Sequence, residues 1–180
     1  MHSSAPSQAA SSVVPHRLYT EAERLRRDTT VWTLVQGVLA PIQFLVFLVS
    51  LSLVIHYLLT GGWYEAATIS VIVKTLALYL IMVTGAIWEK VVFGQYLFAS
   101  AFFWEDVFSF AVISLHSLYL YGLFSGIFAP DTLMYIALAA YFTYVINAGQ
   151  FLWKLRVARL EYARQTAAVA RSSLNTQVVA

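Results

Sequence analysis

The sequence predicts an all-α integral membrane protein, a four-helix up-down bundle with both termini cytoplasmic. Three observations lead there. Of 180 residues, 60% are hydrophobic and 11% charged, against roughly a quarter charged in ordinary soluble domains. Four apolar stretches are each long enough to cross a bilayer as a helix, which takes about 20 residues. The basic residues all but vanish from these stretches and collect on one side of them.

The chain divides into an N-terminal tail over 1–30, a transmembrane domain over 31–160 and a C-terminal tail over 161–180. The Ser/Ala-rich stretch Met1 to Val14 is expected to lack regular structure. It also lacks the apolar core and cleavage site of a signal peptide. Thr20 and Glu23 have capping-box spacing, which predicts a short helix to Arg27 lying on the membrane surface.

The first span is predicted over about 31–59 and ends at Thr60-Gly61-Gly62. The second covers about 67–88. The third runs over about 104–128 and breaks at Ala129-Pro130-Asp131, with Asp131 as the expected N-cap of a fourth span over about 132–153. Short connections favour antiparallel neighbours. Between spans two and three, Val91–Phe103 is too apolar for a solvated loop and too short to cross. It is expected in the interface or dipping into the bundle, where protein must cover its backbone.

Orientation follows from the flanking charges. Arg17, Arg24, Arg26, Arg27, Lys90, Lys154, Arg156, Arg159, Arg164 and Arg171 all fall on one side of four spans. The positive-inside rule makes that side cytoplasmic. The five tryptophans fall at span ends, the usual place for an amphipathic ring. The net charge of +2 gives no reason to expect nucleic acid, and the absence of cysteine excludes disulfides and thiolate chemistry.

The polar residues inside the spans are the functional candidates. Lys74 lies about two turns into span two from the non-cytoplasmic side. It either snorkels to the interface or grips an anionic ligand or carboxylate. His116 lies near mid-membrane, as an imidazole bonded to a neighbouring helix, a metal ligand or a proton carrier. His56 is expected at the interface. Glu89, Glu105 and Asp106 gather at the cytoplasmic mouth. The helix dipole and a salt bridge from Lys90 would account for them structurally. Glu105, Ser109, Val112 and His116 share one helix face, which should point into the bundle. Asn147 and Gln150, with Gln36 and Gln43, read as interhelical hydrogen-bonding groups. No hydrolytic triad, phosphate loop or zinc motif is present.

Three blocks give the chain a likeness to a known family: Trp32–Leu51 (WTLVQGVLAPIQFLVFLVSL), Ile72–Ser109, with WEKVVFG and AFFWEDV inside it, and Ala139–Leu160 (AAYFTYVINAGQFLWKLRVARL). From about Tyr19 to Leu160 the chain resembles the 3-vinyl bacteriochlorophyllide hydratases of bacteriochlorophyll biosynthesis. The resemblance implies addition of water to the C3-vinyl group of chlorophyllide a or a 3-vinyl bacteriochlorophyllide, giving a 1-hydroxyethyl group. It implies an inner or intracytoplasmic photosynthetic membrane, a magnesium-chlorin substrate, no cofactor and no protein-bound metal. A homo-oligomer and contact with other pigment-pathway enzymes are both compatible with it.

That reaction needs a proton donor to the terminal vinyl carbon and a base for the attacking water. Glu105, Asp106 and Glu89 are the candidate acids, since a carboxyl in apolar surroundings retains a proton to give. His116 is a candidate base or an axial ligand to the substrate magnesium. Lys74 is a candidate for the free propionate, with Asn147 and Gln150 as further substrate contacts. Val91–Phe103 would wall the pigment pocket. The competing reading is a non-enzymatic pigment-binding or assembly subunit. A small transporter fits less well, because the far membrane half is nearly bare of polar residues.

Overall fold

The computed structural model describes residues 18–179, so Met1 to Val14 and Arg17 lie outside the described residues. The first helix, α1 (Glu21–Thr29), starts at the expected capping box. Glu23 N–H donates to Thr20 Oγ1 at 3.3 Å, and Thr20 N–H donates to Glu23 Oε2 at 2.7 Å. One residue later, Thr30 caps α2 (Val31–Thr60), with Trp32 N–H on its hydroxyl. Gly61 stops α2 in the left-handed region (φ 72), a conformation that costs glycine nothing.

The second span, α3 (Tyr64–Phe93), likewise stops at a left-handed glycine, Gly94 (φ 85). It outruns its predicted end by more than a turn and carries Glu89 inside the helix. The third span is α4 (Phe103–Ser125), and the fourth is α5 (Pro130–Val179). Pro130 opens α5 at a position where its missing N–H leaves no bond unmade. Asp131 therefore stands in the first turn and not at the N-cap. Its Oδ1 accepts from Tyr57 O–H at 2.7 Å, tying α5 to α2. Beyond the apolar stretch, α5 continues without a break to Val179.

Four helices are long and apolar enough to cross a membrane: Val31–Thr60, Tyr64–Phe93, Phe103–Ser125 and Pro130–Arg164. They alternate in direction. Their outward faces carry Leu34, Leu45, Val83 and Phe142, each at least 60% exposed. In water that surface would drive aggregation. Against lipid it is the right solvent face for helices that satisfy their own backbones. The protein is a multi-pass membrane protein.

The bundle is built of two hairpins. Helix α2 packs along α3 and α4 along α5, each far more extensively than one pair packs on the other. The far half of the core is closed by Phe47, Val54, Ala67, Val71, Met134 and Tyr141. The seam between hairpins is more polar. There Ser50 bonds Tyr141 (2.5 Å) and Tyr79 bonds Ser117 (2.7 Å), while Ser50 also bonds Ser70 within its own hairpin (2.7 Å).

Candidate functional site

Glu89, Glu105 and Asp106 come together where α3 turns into α4. All three are at least 95% buried. Residues 94–102 are not helical. This segment leaves backbone N–H groups that apolar surroundings cannot satisfy. The carboxylates answer them. Phe98, itself left-handed at φ 60, donates its N–H to Asp106 Oδ2 at 2.7 Å. Ala99 N–H donates to Glu89 Oε2 at 3.3 Å. Phe102 is 2% exposed, its ring packed among Trp88, Phe93 and Phe151 at centroid distances of 5.6–5.9 Å. The apolar segment thus folds down over the mouth, and the acid cluster holds it.

The salt bridge expected from Lys90 does not form. Lys90 lies at the exposed end of α3 and donates to the Gly94 carbonyl at 2.7 Å. The partner of Glu105 is Lys154, with Nζ 2.6 Å from Oε2. Lys154 also bonds the Ala101 carbonyl. Reading the basic residues only for membrane orientation hid this role. The signal was present: Asn147, Gln150 and Lys154 share one face of α5 by their 3- and 4-residue spacing. Asp106 and Glu89 hold the adjacent N–H groups of Phe98 and Ala99, so the two buried carboxyls are neighbours, and one shared proton avoids burying two like charges.

The predicted stripe on α4 does face inward. Ser109, Val112 and His116 are at most 3% exposed. Ser109 Oγ accepts from Asn147 Nδ2 at 2.8 Å, joining α4 to α5. Gln36 makes the matching link from α2 to α3, donating to Thr84 Oγ1 at 2.7 Å. Gln43 Nε2 and Gln150 Oε1 are buried with no protein partner, so those two make no interhelical bond at these atoms. His56 sits at the far end with its ring 4.7 Å from that of Trp63.

His116 is fully enclosed. Its Nδ1 lies 2.8 Å from the Val112 carbonyl. A carbonyl only accepts, so in the neutral ring Nδ1 carries the proton and Nε2 presents a bare lone pair. That Nε2 has no protein partner.

Lys74 does not snorkel. It is fully buried, its Nζ has no hydrogen-bond partner, and it makes no ion pair among the described residues. Its ammonium rests 3.6 Å from the Tyr144 ring centroid and 5.9 Å from that of Phe47. Such cation–π contacts are worth about 2 kcal/mol when desolvated, too little to replace a counter-ion. Lys74 and His116 occupy one layer. Because α3 and α4 run oppositely, each lies about 15 Å from the far end of its helix. Both border the Phe47–Tyr141–Tyr144 aromatic group.

The structure therefore brings the sequence-predicted residues together in two layers. Eleven residues of α4 separate Glu105 from His116, about 16 Å at 1.5 Å per residue. Near the acid layer, a pocket of about 280 Å³ opens between α4 and α5, lined by Leu18, Glu105, Gln150, Trp153 and Lys154 among others.

A helical membrane protein with its ionisable groups gathered inside, acids at one depth and an imidazole–amine pair at another, belongs to the class that carries a functional site within the bilayer. Residues 19–157 match the family described as 2-vinyl bacteriochlorophyllide hydratase. The chain is 72% identical over 151 residues to the protein of that name from Rhodobacter capsulatus, covering 83% of this chain and 87% of the relative. It is 70% identical over 156 residues to that from Cereibacter sphaeroides, covering 86% and 96%. The chain belongs to the 2-vinyl bacteriochlorophyllide hydratase family. No solved structure matches it.

Proposed function

We propose that this chain adds water to the C3-vinyl group of a magnesium chlorin, a 3-vinyl bacteriochlorophyllide or chlorophyllide a, giving the 1-hydroxyethyl product. The observation that carries this reading is identity of 70% and above across nearly the whole length of relatives named for that reaction. The bundle sits in an inner or intracytoplasmic photosynthetic membrane with both ends, and the acid layer, on the cytoplasmic side. The macrocycle lies in the seam between the two hairpins.

The two layers fit one placement of a flat ligand. His116, its Nε2 bare and enclosed, lines the deep end of that placement. Lys74 in the same layer meets the free propionate, which gives the buried ammonium its missing counter-ion. A porphyrin-type ring is roughly two helical turns across and its propionate arm adds about one turn more, so with the propionate at Lys74 the vinyl edge reaches the acid layer, about 16 Å away along α4. There the Glu89–Asp106 pair protonates the terminal vinyl carbon and Glu105 takes the proton from water. An acid and a base that act on one double bond must both lie within hydrogen-bond reach of it or of its water. His116 is too far from the carboxyls to be that base, and with the vinyl edge at the acid layer the ring's centre lies too far from it for an axial bond.

The test is turnover by the detergent-solubilised full chain with chlorophyllide a and with a 3-vinyl bacteriochlorophyllide. The expected result is a mass gain of one water on at least one pigment. Pigment that copurifies and is never hydrated would favour a carrier or assembly subunit instead.

A further inference from the structure

We infer that Asn147 and Gln150 form the site of the attacking water and act on the nucleophile, leaving the macrocycle to other residues. The inference rests on the hydratase reading and makes it more specific.

Asn147 is 8% exposed. Its amide nitrogen is committed to Ser109 Oγ at 2.8 Å, which fixes the amide and turns Oδ1 the other way. That Oδ1 has no donor. One helical turn on, on the same face of α5, Gln150 Oε1 is also buried without a donor. A carbonyl oxygen can only accept, and leaving one bare and buried costs about 1–3 kcal/mol. Two acceptors one turn apart call for a small group that brings two donor hydrogens. Lysine cannot be that group, because Lys154 is held by Glu105 and the Ala101 carbonyl. Water has the right size and the right hydrogens. Gln150 and Glu105 line the same pocket, so this water sits beside the carboxylate that would accept its proton.

The step balances without a further reactant. The π pair of the vinyl group takes a proton from the Glu89–Asp106 pair and forms the terminal C–H bond. The inner carbon becomes electron-poor, stabilised by the conjugated ring, and bonds to the water oxygen. One O–H remains on the amide oxygens while the other proton passes to Glu105. Its return to neighbouring Asp106 resets the site. A water held on α5 attacks from one side of the vinyl plane only, so one of the two C3¹ epimers should predominate.

Wild-type protein sets the reference: if it hydrates neither pigment, the hydratase reading itself fails. If it does hydrate, Asn147→Leu and Gln150→Leu should each lower kcat by about a hundredfold, the usual scale for a misplaced reactant. KM should change by no more than about twofold, and the C3¹ epimer ratio should move toward equality. Gln36→Leu removes a half-buried amide from the α2–α3 pair and should leave the epimer ratio as in wild type. Gln150 lines an open pocket, so Gln150→Leu decides the matter if Asn147→Leu does not fold. The inference is overturned if the folded variants keep wild-type kcat and epimer ratio, or if the whole loss appears in KM.

Discussion

Replacing Lys154 with methionine isolates the contact on which the acid layer depends. Methionine keeps the apolar stem and removes the charge. It leaves Glu105, 5% exposed, as a buried carboxylate without its partner at 2.6 Å, and it strips a donor from the Ala101 carbonyl. Removing one member of a buried pair costs about 3–5 kcal/mol. The Lys154 side chain is 24% accessible, so water can partly replace it, and the lower end of that range, about 3 kcal/mol, applies.

The double variant Lys154→Met/Glu105→Gln buries no lone charge. It should be less damaged than Lys154→Met alone, with a coupling of roughly 2 kcal/mol between the sites. Trp104 and Trp153 each adjoin one partner in sequence, so their fluorescence during unfolding in detergent micelles reports the change directly. A cost for Lys154→Met below about 0.5 kcal/mol would mean a solvated surface pair, and strictly additive costs would mean that the two side chains do not interact. Either outcome refutes the picture of Lys154 as the anchor of the mouth.

Three further outcomes follow from the same geometry. His116→Leu should weaken pigment binding equally with and without magnesium in the ring, read by pigment absorbance titration; a loss confined to the magnesium chlorin would put His116 on the magnesium and overturn the placement. Glu89→Gln and Asp106→Asn made together remove the shared proton, and kcat should fall by about 10²–10⁴-fold while membrane expression persists; a full rate in the double variant places the acid elsewhere. Gly122→Ala drives a Cβ into the Phe128 ring, so the α4–α5 turn must repack at about 1–3 kcal/mol, seen as a lower midpoint of thermal unfolding; an unchanged midpoint shows that Phe128 swings away freely.

Hydropathy and turn chemistry carried the fold. Gly61 and Pro130 bound helices where the turn residues said they would, whereas Gly94 and Gly126, the left-handed stops of α3 and α4, were missed: span two was expected to end about five residues earlier and span three about three residues later. The 4-3-4 spacing from Glu105 to His116 carried the inward stripe, because helical periodicity decides which side chains share a face. What the sequence left unread depends on partners across helices. Whether Lys90 or Lys154 meets Glu105 turns on how a nine-residue segment folds back, and no local rule fixes that. Lys74 looked free to snorkel because its distance from the span end allowed it. The structure turns it onto Tyr144 instead, a choice made by the packing of α5.

The separation between the two layers sharpens the chemistry more than either layer alone. Taken singly, each polar residue could be an acid, a base or a pigment ligand. About 16 Å along α4 is too far for Glu105 and His116 to serve one vinyl group, yet it suits a macrocycle with its propionate arm extended. In the proposed placement that constraint gives the deep layer to binding and the mouth to proton transfer. The reacting bond would then lie near the pocket at Glu105 and Gln150, where water can arrive from the membrane surface, while the hydrophobic body of the ring stays between the hairpins. A membrane setting then serves both substrates: the seam receives the pigment from lipid, and the mouth receives water.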